Sequence, residues 1–505
     1  MKKNLLAKNT VASLLAQITT LVCGFILPRF FLQKYGSEVN GLINSIAQFL
    51  GVISFLELGV GTVVQSALYK PLVEKNDEQI SRVMASANKF FQRLALILLA
   101  YVAILTIVYP LLVDQSFDYA FTTVLILAIA ISSFAQYYFG TVNSLLLTAD
   151  QRGYIQFNAQ TLTVILNTVI CMILIKTGSS VQMVKMASSL IYLIRPVVLR
   201  IYINKRYRVN WKILYDKEPI QQKWNGVAQH IAAVVQEGTD TIVLSLLAKL
   251  EDVSIYSVYY MVVNGVKTVL WSLTNGIRPV LGELWAKQEL ENLKGFFGWV
   301  EWCIHTGTTF VFACTAGLLV PFIQVYTNGI HDANYTQPVF ALLLTLANGM
   351  HCLRLPYNIM VLAAGHYKQT QNNYIIAAIM NIVISVATVR LWGLIGVAIG
   401  TLLSMAYQTI WLALYNSKNL IYWSMRSVFK QFLADGVAFS AIFFIAQLIP
   451  LGDKTYFCWF LQALTVACLA VLIIGIVNCI LYKEKLYMLA GKVTEKLLCN
   501  IGKKK

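Results

Sequence analysis

KYGSEVNGLINSIAQFLGVISFLELGVG, residues 34–61, decides the reading of this chain, because a later segment answers it. Val39 falls on Val253 of KLEDVSIYSVYYMVVNGVKTVLWSLTNG, residues 249–276, an offset of 214 residues. The same offset sets Asn158 on Asn372, Asn167 on Asn381, Val169 on Val383, Ile170 on Ile384 and Lys176 on Arg390. An offset sustained over that much apolar chain is the trace of a duplication, and it predicts two similar helical bundles.

Composition says where the bundles sit. Of 505 residues, 58% are hydrophobic and 12% charged, against about 25% charged in a globular domain. Surface this apolar has to face lipid. A formal net charge of +17 would suggest nucleic acid in a soluble protein. Here the basic residues lie between apolar spans, as membrane topology requires, and no nucleic-acid-binding module is found. The nine cysteines are odd in number and include no CxxC pair. They read as buried free thiols rather than as a disulfide framework or zinc site. MKKNLLAKNTVASLLAQ runs without a cleavage site into an apolar stretch ending near Phe31, and reads as a retained first helix.

About 20 apolar residues cross the hydrocarbon as a helix. That length predicts fourteen spans, near 9–33, 38–69, 84–112, 119–147, 154–176, 180–203, 224–249, 254–285, 296–326, 336–363, 370–391, 393–416, 429–450 and 457–482. The expected fold class is an all-α polytopic membrane protein. Two six-helix bundles, related by a pseudo-two-fold axis along the membrane normal, are followed by two further helices. The parts are a bundle at 1–203, a cytoplasmic linker at 204–222, a second bundle at 223–416, a linker at 417–428, helices 13 and 14 within 429–482, and a basic cytoplasmic tail at 483–505. Most of the 40 Lys and Arg residues lie in alternate connections; the opposite connections hold only Lys34, Lys176, Lys249, Arg390 and Lys454. That separation places both termini in the cytoplasm. The longest polar connection, about 204–222, leaves no room for a soluble catalytic domain, and no G-x-x-x-x-G-K-[ST] loop occurs to hydrolyse ATP.

Some basic residues stay inside the spans: Arg29, Lys89, Arg93, Lys185, Arg195, Arg200, Lys267, Arg278 and Arg354. Each costs roughly 2.5–3.5 kcal/mol at a helix centre, less near the ends, where Lys185 and Arg200 snorkel. The deeper ones point to a watery cavity or an anionic partner. Lys267 and Arg278 are about three turns apart, so they share a face of helix 8 with Trp271, Thr274 and Asn275. His230, Glu237 and Asp240 form an acidic stripe on helix 7, and His351, Arg354 and Asn358 line one side of helix 10. Lys89 and Arg93 are an i,i+4 pair near the cytoplasmic end of helix 3, and Glu57 shares a stripe with Ser54, Gly61 and Gln65. Each group also has a purely structural reading. Glu237 or Asp240 would neutralise Arg278 or Lys267, Glu57 would accept from backbone near Gly59 and Gly61, Lys89 and Arg93 would snorkel, and His230 and His351 would be satisfied core histidines. That all of them are structural at once is the less economical account.

Residues 27–72, LPRFFLQKYGSEVNGLINSIAQFLGVISFLELGVGTVVQSALYKPL, resemble the N-terminal signature of the polysaccharide biosynthesis flippases, the O-antigen and capsule repeat-unit transporters of the multidrug/oligosaccharidyl-lipid/polysaccharide exporter superfamily. The likeness lies in Arg29 before a Y-G turn, the E-L-G-x-G element and the Leu-Tyr-Lys-Pro exit; GTDTIVLS (238–245) and SIYSVYY (254–260) resemble the start of the second bundle. The resemblance implies a V-shaped pair of bundles around a central cavity that rocks between inward- and outward-open states, with helices 13 and 14 accommodating a lipid tail. It implies a non-enzymatic flippase of the bacterial cytoplasmic membrane, carrying an undecaprenyl-diphosphate-linked oligosaccharide repeat unit to the outer leaflet for capsule, exopolysaccharide or O-antigen assembly. Arg29, Glu57, Asp240 and Arg278 are carried to the cavity by their motif positions. Lys267, Arg354 and Asn275 join them on this chain's own pattern, since excess Arg and Lys hold a diphosphate by charge-assisted hydrogen bonds.

Glu57, His230, Glu237 and Asp240 are candidates for coupling to a sodium ion or proton, and Lys89 and Arg93 for admitting cargo from the cytoplasm. No metal or other cofactor is expected. The expected partners are the lipid-linked oligosaccharide, the bilayer and glycan-assembly proteins such as a polymerase, around a monomer. A drug or organic-cation antiporter of the same superfamily is the nearest alternative, and would use an acidic, aromatic cavity. A membrane-embedded glycan polymerase or ligase is the alternative of another class, and would carry a large external loop.

Overall fold

The structure is a computed structural model and describes residues 2–57, 60–113, 117–213, 227–272, 274, 277–423 and 425–486. Among these residues it is all-helical, with no strand. Every predicted span has its helical counterpart, from the Lys2–Gly51 run to Tyr456–Leu481. Among the described residues, eleven helices are long and apolar enough to cross a membrane. The first two spans merge there into one run, Lys8–Glu57. Val227–Leu247 and Leu250–Ser272, the helices bearing Glu237, Asp240 and Lys267, fall outside that count. The chain is a multi-pass membrane protein.

It divides into two compact units. One comprises Met1–Met261, Gly329–Ala333 and Tyr374–Val397, the other Val262–Asn328, Asn334–Asn373 and Ala398–Lys505. In the first, the Lys2–Gly51 run packs along Gly153–Lys176, over a core that includes Leu42, Ile46, Val64, Leu68, Met84 and Phe91. In the second, Leu290–Tyr326 is the central mast, packed by Pro338–Leu353, Met425–Gln447 and Tyr456–Leu481. Lipid tails are as apolar as leucine, so close van der Waals approach holds such helices together. Gly317 illustrates it: a Cβ there would lie 2.4 Å from that of Ala446.

The Y-G turn of the opening segment is a break in the helix. Gly36 has φ 84° and ψ 174°, inside an otherwise helical run, a region open essentially to glycine alone. The helix restarts at Ser37, whose N–H donates to Asp332 Oδ2 at 2.6 Å and whose hydroxyl donates to Oδ1 at 2.8 Å. A carboxylate thus satisfies a new N-terminus, where the helix dipole favours negative charge. One turn on, Asn40 Nδ2 donates to Ser254 Oγ at 2.8 Å. These two residues stand at the repeat offset itself. Equivalent residues touch in this way only near a two-fold axis. Gly41 permits the approach, since a Cβ there would lie 1.8 Å from the Leu250 carbonyl oxygen.

Gly36→Ala is expected to destabilise the protein by about 1–3 kcal/mol, and Asp332→Ala by about 0.5–2 kcal/mol. Thermal unfolding of the detergent-solubilised chain measures both, and an unchanged midpoint in Gly36→Ala would contradict the strained turn.

Candidate functional site

In the first unit, three breaks in helical regularity converge on one cavity. Val52–Glu57 is a single 3₁₀ stretch that ends on Glu57. Gln136–Gly140 is a π-helical turn between Tyr119–Ala135 and Thr141–Ala149, a device that re-aims side chains and recurs at functional sites. Gly140 allows it: a Cβ would lie 2.8 Å from Gln136 Oε1 and 3.3 Å from the Pro196 Cβ. The third break, at Leu193, separates Val181–Tyr192 from Ile194–Arg206 and delivers Arg195.

Tyr137 hydroxyl donates to Glu57 Oε1 at 2.6 Å. Glu57, Tyr137, Gln136, Ser132, Ser133, Thr141, Tyr192 and Arg195 line a cavity of about 520 Å³. The Nε of Arg195 is buried and has no hydrogen-bond partner. Beside this polar cavity lies an apolar groove of about 360 Å³, lined by Leu98, Leu99, Val102, Leu127, Phe134, Phe139 and Leu193 among others. Tyr192 and Leu193, like Ser133 and Phe134, are sequence neighbours that serve one cavity each. A cation and hydroxyls on one side and a hydrocarbon slot on the other suit an amphipathic ligand with an anionic head.

At the cytoplasmic end predicted for this unit, Asp150 Oδ2 accepts from Arg152 Nε at 2.8 Å and from the Tyr207 hydroxyl. Burial, with the Asp150 carboxylate, holds that hydroxyl's pKa above its ordinary value.

The second unit gathers a cationic cluster. Lys267 and Arg354 are 5% and 6% exposed, and both act electrostatically on His351. Arg354 Nη2 donates to His351 Nδ1 at 2.9 Å, and Nη1 approaches Met405 Sδ at 3.9 Å. Arg354 stands where Pro338–Leu353 gives way to Leu355–Ala363, with Pro356 just inside the second helix. Arg278 is exposed instead, and its Nη2 donates to the Tyr367 hydroxyl at 2.7 Å. The continuous stripe expected from Lys267 to Arg278 is interrupted. Leu250–Ser272 ends before Ile277–Ala286 begins, so the 3.6-residue register is not carried across.

The remaining candidates are placed as follows. Arg29 is half-buried, next to Pro28 in the first helix. Asp240 is buried and accepts from the Tyr256 hydroxyl at 2.9 Å, whereas Glu237 on the same helix is exposed. Lys89 and Arg93 are both exposed on Asp77–Leu112. Asn275 and the His230 side chain lie outside the described residues.

Sequence reasoning passed over a third group, in the second unit: Glu301, His305 and Asp435, all buried. Its signal was available, because Glu301 and His305 are an i,i+4 ionisable pair inside the span predicted at 296–326.

No family profile matches the chain, and no curated protein sequence matches it. Solved structures do. Lipid II flippase MurJ in an inward closed conformation aligns with a TM-score of 0.71, over 95% of this chain and 99% of that one, at 15% identity. An inward-facing multidrug resistance MATE family transporter of the MOP superfamily aligns at 0.57 over 79% and 95%, at 13% identity. The MATE multidrug transporter DinF-BH aligns at 0.58 over 83% and 97%, at 14% identity. At these identities the likeness is one of fold. It is a helical membrane fold shared with a structure named as a lipid II flippase and with MATE multidrug transporters.

Tyr137→Phe leaves Glu57 without its donor, and is expected to lower stability by about 1.5–3 kcal/mol, the scale of a hydrogen bond to a charged group. Unfolding midpoints compared with Tyr138→Phe as a control check the assignment.

Proposed function

We propose that this chain is a flippase for an anionic lipid-linked glycan. It moves an undecaprenyl-diphosphate-linked oligosaccharide repeat unit from the inner to the outer leaflet of the bacterial cytoplasmic membrane, serving capsule, exopolysaccharide or O-antigen assembly. Arg195 carries this reading: a guanidinium among membrane-spanning helices, with an unpartnered buried Nε, lines a polar cavity that adjoins an apolar groove. Diphosphate oxygens suit a guanidinium fork, sugar hydroxyls suit Ser132, Ser133, Gln136 and Thr141, and an isoprenoid suits the groove. The fold shared with a structure named as a lipid II flippase supports the same cargo class.

Lys267, Arg354 and Arg278 add cationic groups, and the chain works by alternating access of its two six-helix bundles. No bond is made or broken, so these residues bind and orient. Glu57 and Asp240 are coupling groups for a sodium ion or proton, both termini are cytoplasmic, and a glycan polymerase takes the product. The antiporter reading draws on Glu57, an acid in the same cavity, and on the MATE-like fold. It predicts an organic cation as cargo, insensitive to loss of the arginines.

Cells dependent on this chain for outer-leaflet delivery of lipid-linked glycan provide the test. Arg278→Ala is expected to reduce delivery about tenfold or more, and Arg278→Lys to retain part of it, from the loss of one charge-assisted hydrogen bond. Undiminished delivery by both variants at normal protein levels removes Arg278 from the binding surface. Dye or drug export that depends on the chain while glycan delivery does not would replace the reading with the antiporter.

A further inference from the structure

The buried group passed over above has the geometry of a proton site. Glu301 and His305 stand four residues apart on Leu290–Tyr326, and Asp435 reaches them from Met425–Gln447. His305 Nδ1 lies 2.6 Å from Asp435 Oδ2. Thr309 hydroxyl donates to Asp435 Oδ1 at 2.9 Å, and Gln431 Nε2 to the same oxygen at 3.3 Å. On the other side, the Tyr357 hydroxyl donates to Glu301 Oε1 at 2.7 Å. An acceptor carboxylate at Nδ1 fixes that nitrogen as the protonated one of the neutral ring. Nε2 is then the open position. It is buried in a fully buried ring and has no hydrogen-bond partner. The Leu353 carbonyl lies beside the ring, short of a bond of proper geometry to Nε2.

The charges facing the ring leave room for one proton. Glu301 and Asp435 are two carboxylates. Opposite them is the Lys485 ammonium, which donates to the Gly298 carbonyl at 2.9 Å, with Lys430 beyond it over the Tyr482 ring. Burial lowers the pKa of Lys485, while Glu301 pulls it back up. Counting the groups nearest the ring, Glu301, Asp435 and Lys485, a neutral His305 leaves a net charge of minus one, which a proton on Nε2 cancels; Lys430 acts on Lys485 rather than on the ring. Among the described residues no three His, Cys, Asp or Glu groups are placed to hold a metal ion. A narrow cleft lined by Thr309, Asp435, Asn478 and Tyr482 has a volume of about 10 Å³, room for about one water. It runs from the buried carboxylate to Tyr482, past the end of Tyr456–Leu481.

We propose that His305, oriented by Asp435, is a proton-binding site that takes its proton at Nε2, beside a cleft that reaches Asp435. Its placement gives the proton something to act on. Leu353 is the last residue before the helix break that holds Arg354, and Tyr357, three residues beyond Arg354, is tied to Glu301. A proton on Nε2 gains the Leu353 carbonyl as an acceptor and weakens the net charge acting on Tyr357. Both ends of the Arg354 segment therefore respond to one protonation. The site stands on its own geometry, whatever cargo the protein moves.

The test is NMR of the full-length protein in detergent with ¹⁵N-labelled histidine rings, of which the chain has only five. Long-range ¹H–¹⁵N spectra between about pH 5 and 9 are expected to show one ring pass from the Nδ1–H tautomer to the doubly protonated form. That ring should be missing in His305→Gln. Asp435→Asn removes the anion and should lower the proton affinity at least tenfold, about one pH unit or more. Thr309→Val keeps both charges, concentrates the negative charge on Asp435 and should raise the midpoint. If His305→Gln does not fold, the opposite shifts in these two variants assign the ring. A His305 ring that keeps one form throughout, or a midpoint indifferent to Asp435→Asn, overturns the proposal.

Discussion

A peptide group in hydrocarbon has no water to bond, so its helix must satisfy it, and wherever a helix stops inside the membrane something else must take over. This constraint organises the chain. In the connection between the first two predicted spans, the Asp332 carboxylate does this at Gly36. Elsewhere the chain narrows to a 3₁₀ stretch before Glu57, widens to a π turn around Tyr137, or steps at Leu193 and Arg354. Several of the functional candidates sit at these interruptions, while Lys267 and Asp240 lie within helices. Glu57 ends one, Tyr137 lies in one, Arg195 follows one, Arg278 opens the helix after another, and Arg354 is one. Irregular backbone lining a cavity is tolerated where irregular backbone facing lipid is not.

A second regularity follows. Among the described residues, four buried or half-buried carboxylates accept from tyrosine: Glu57 from Tyr137, Asp150 from Tyr207, Asp240 from Tyr256 and Glu301 from Tyr357. A phenol satisfies a carboxylate without itself bringing a counter-charge, and so reduces its desolvation cost. An Arg or Lys in the tyrosine's place would neutralise the site.

The helical spans were legible because hydropathy is a local property, although among the described residues eleven helices rather than fourteen are long and apolar enough to cross. Breaks were harder to see. The interruption between Ser272 and Ile277 separates buried Lys267 from exposed Arg278, yet the residues around it read as one long span. The local signal was present in Asn275-Gly276 and Pro279, but the apolar run on either side outweighed it. The π turn at Gln136 depends instead on the Gly140–Pro196 approach, between residues far apart in sequence. Glu301 and His305 were visible as a pair, but their meaning waited on Asp435, which arrives from another helix. The 214-residue offset read furthest, since Asn40 and Ser254 are in contact.

The Tyr456–Leu481 helix is the most hydropathic span and among the least buried. Phe457, Phe460, Leu464, Val471, Leu472, Ile476 and Ile480 are all exposed along it, while Gln462 and Asn478 turn inward. Lipid asks only that a side chain be greasy, and accepts valine for phenylalanine without complaint. Such a surface constrains the identity of its side chains only loosely, so one fold can be written in very different letters, as the likeness of fold over nearly the whole chain at 15% identity illustrates.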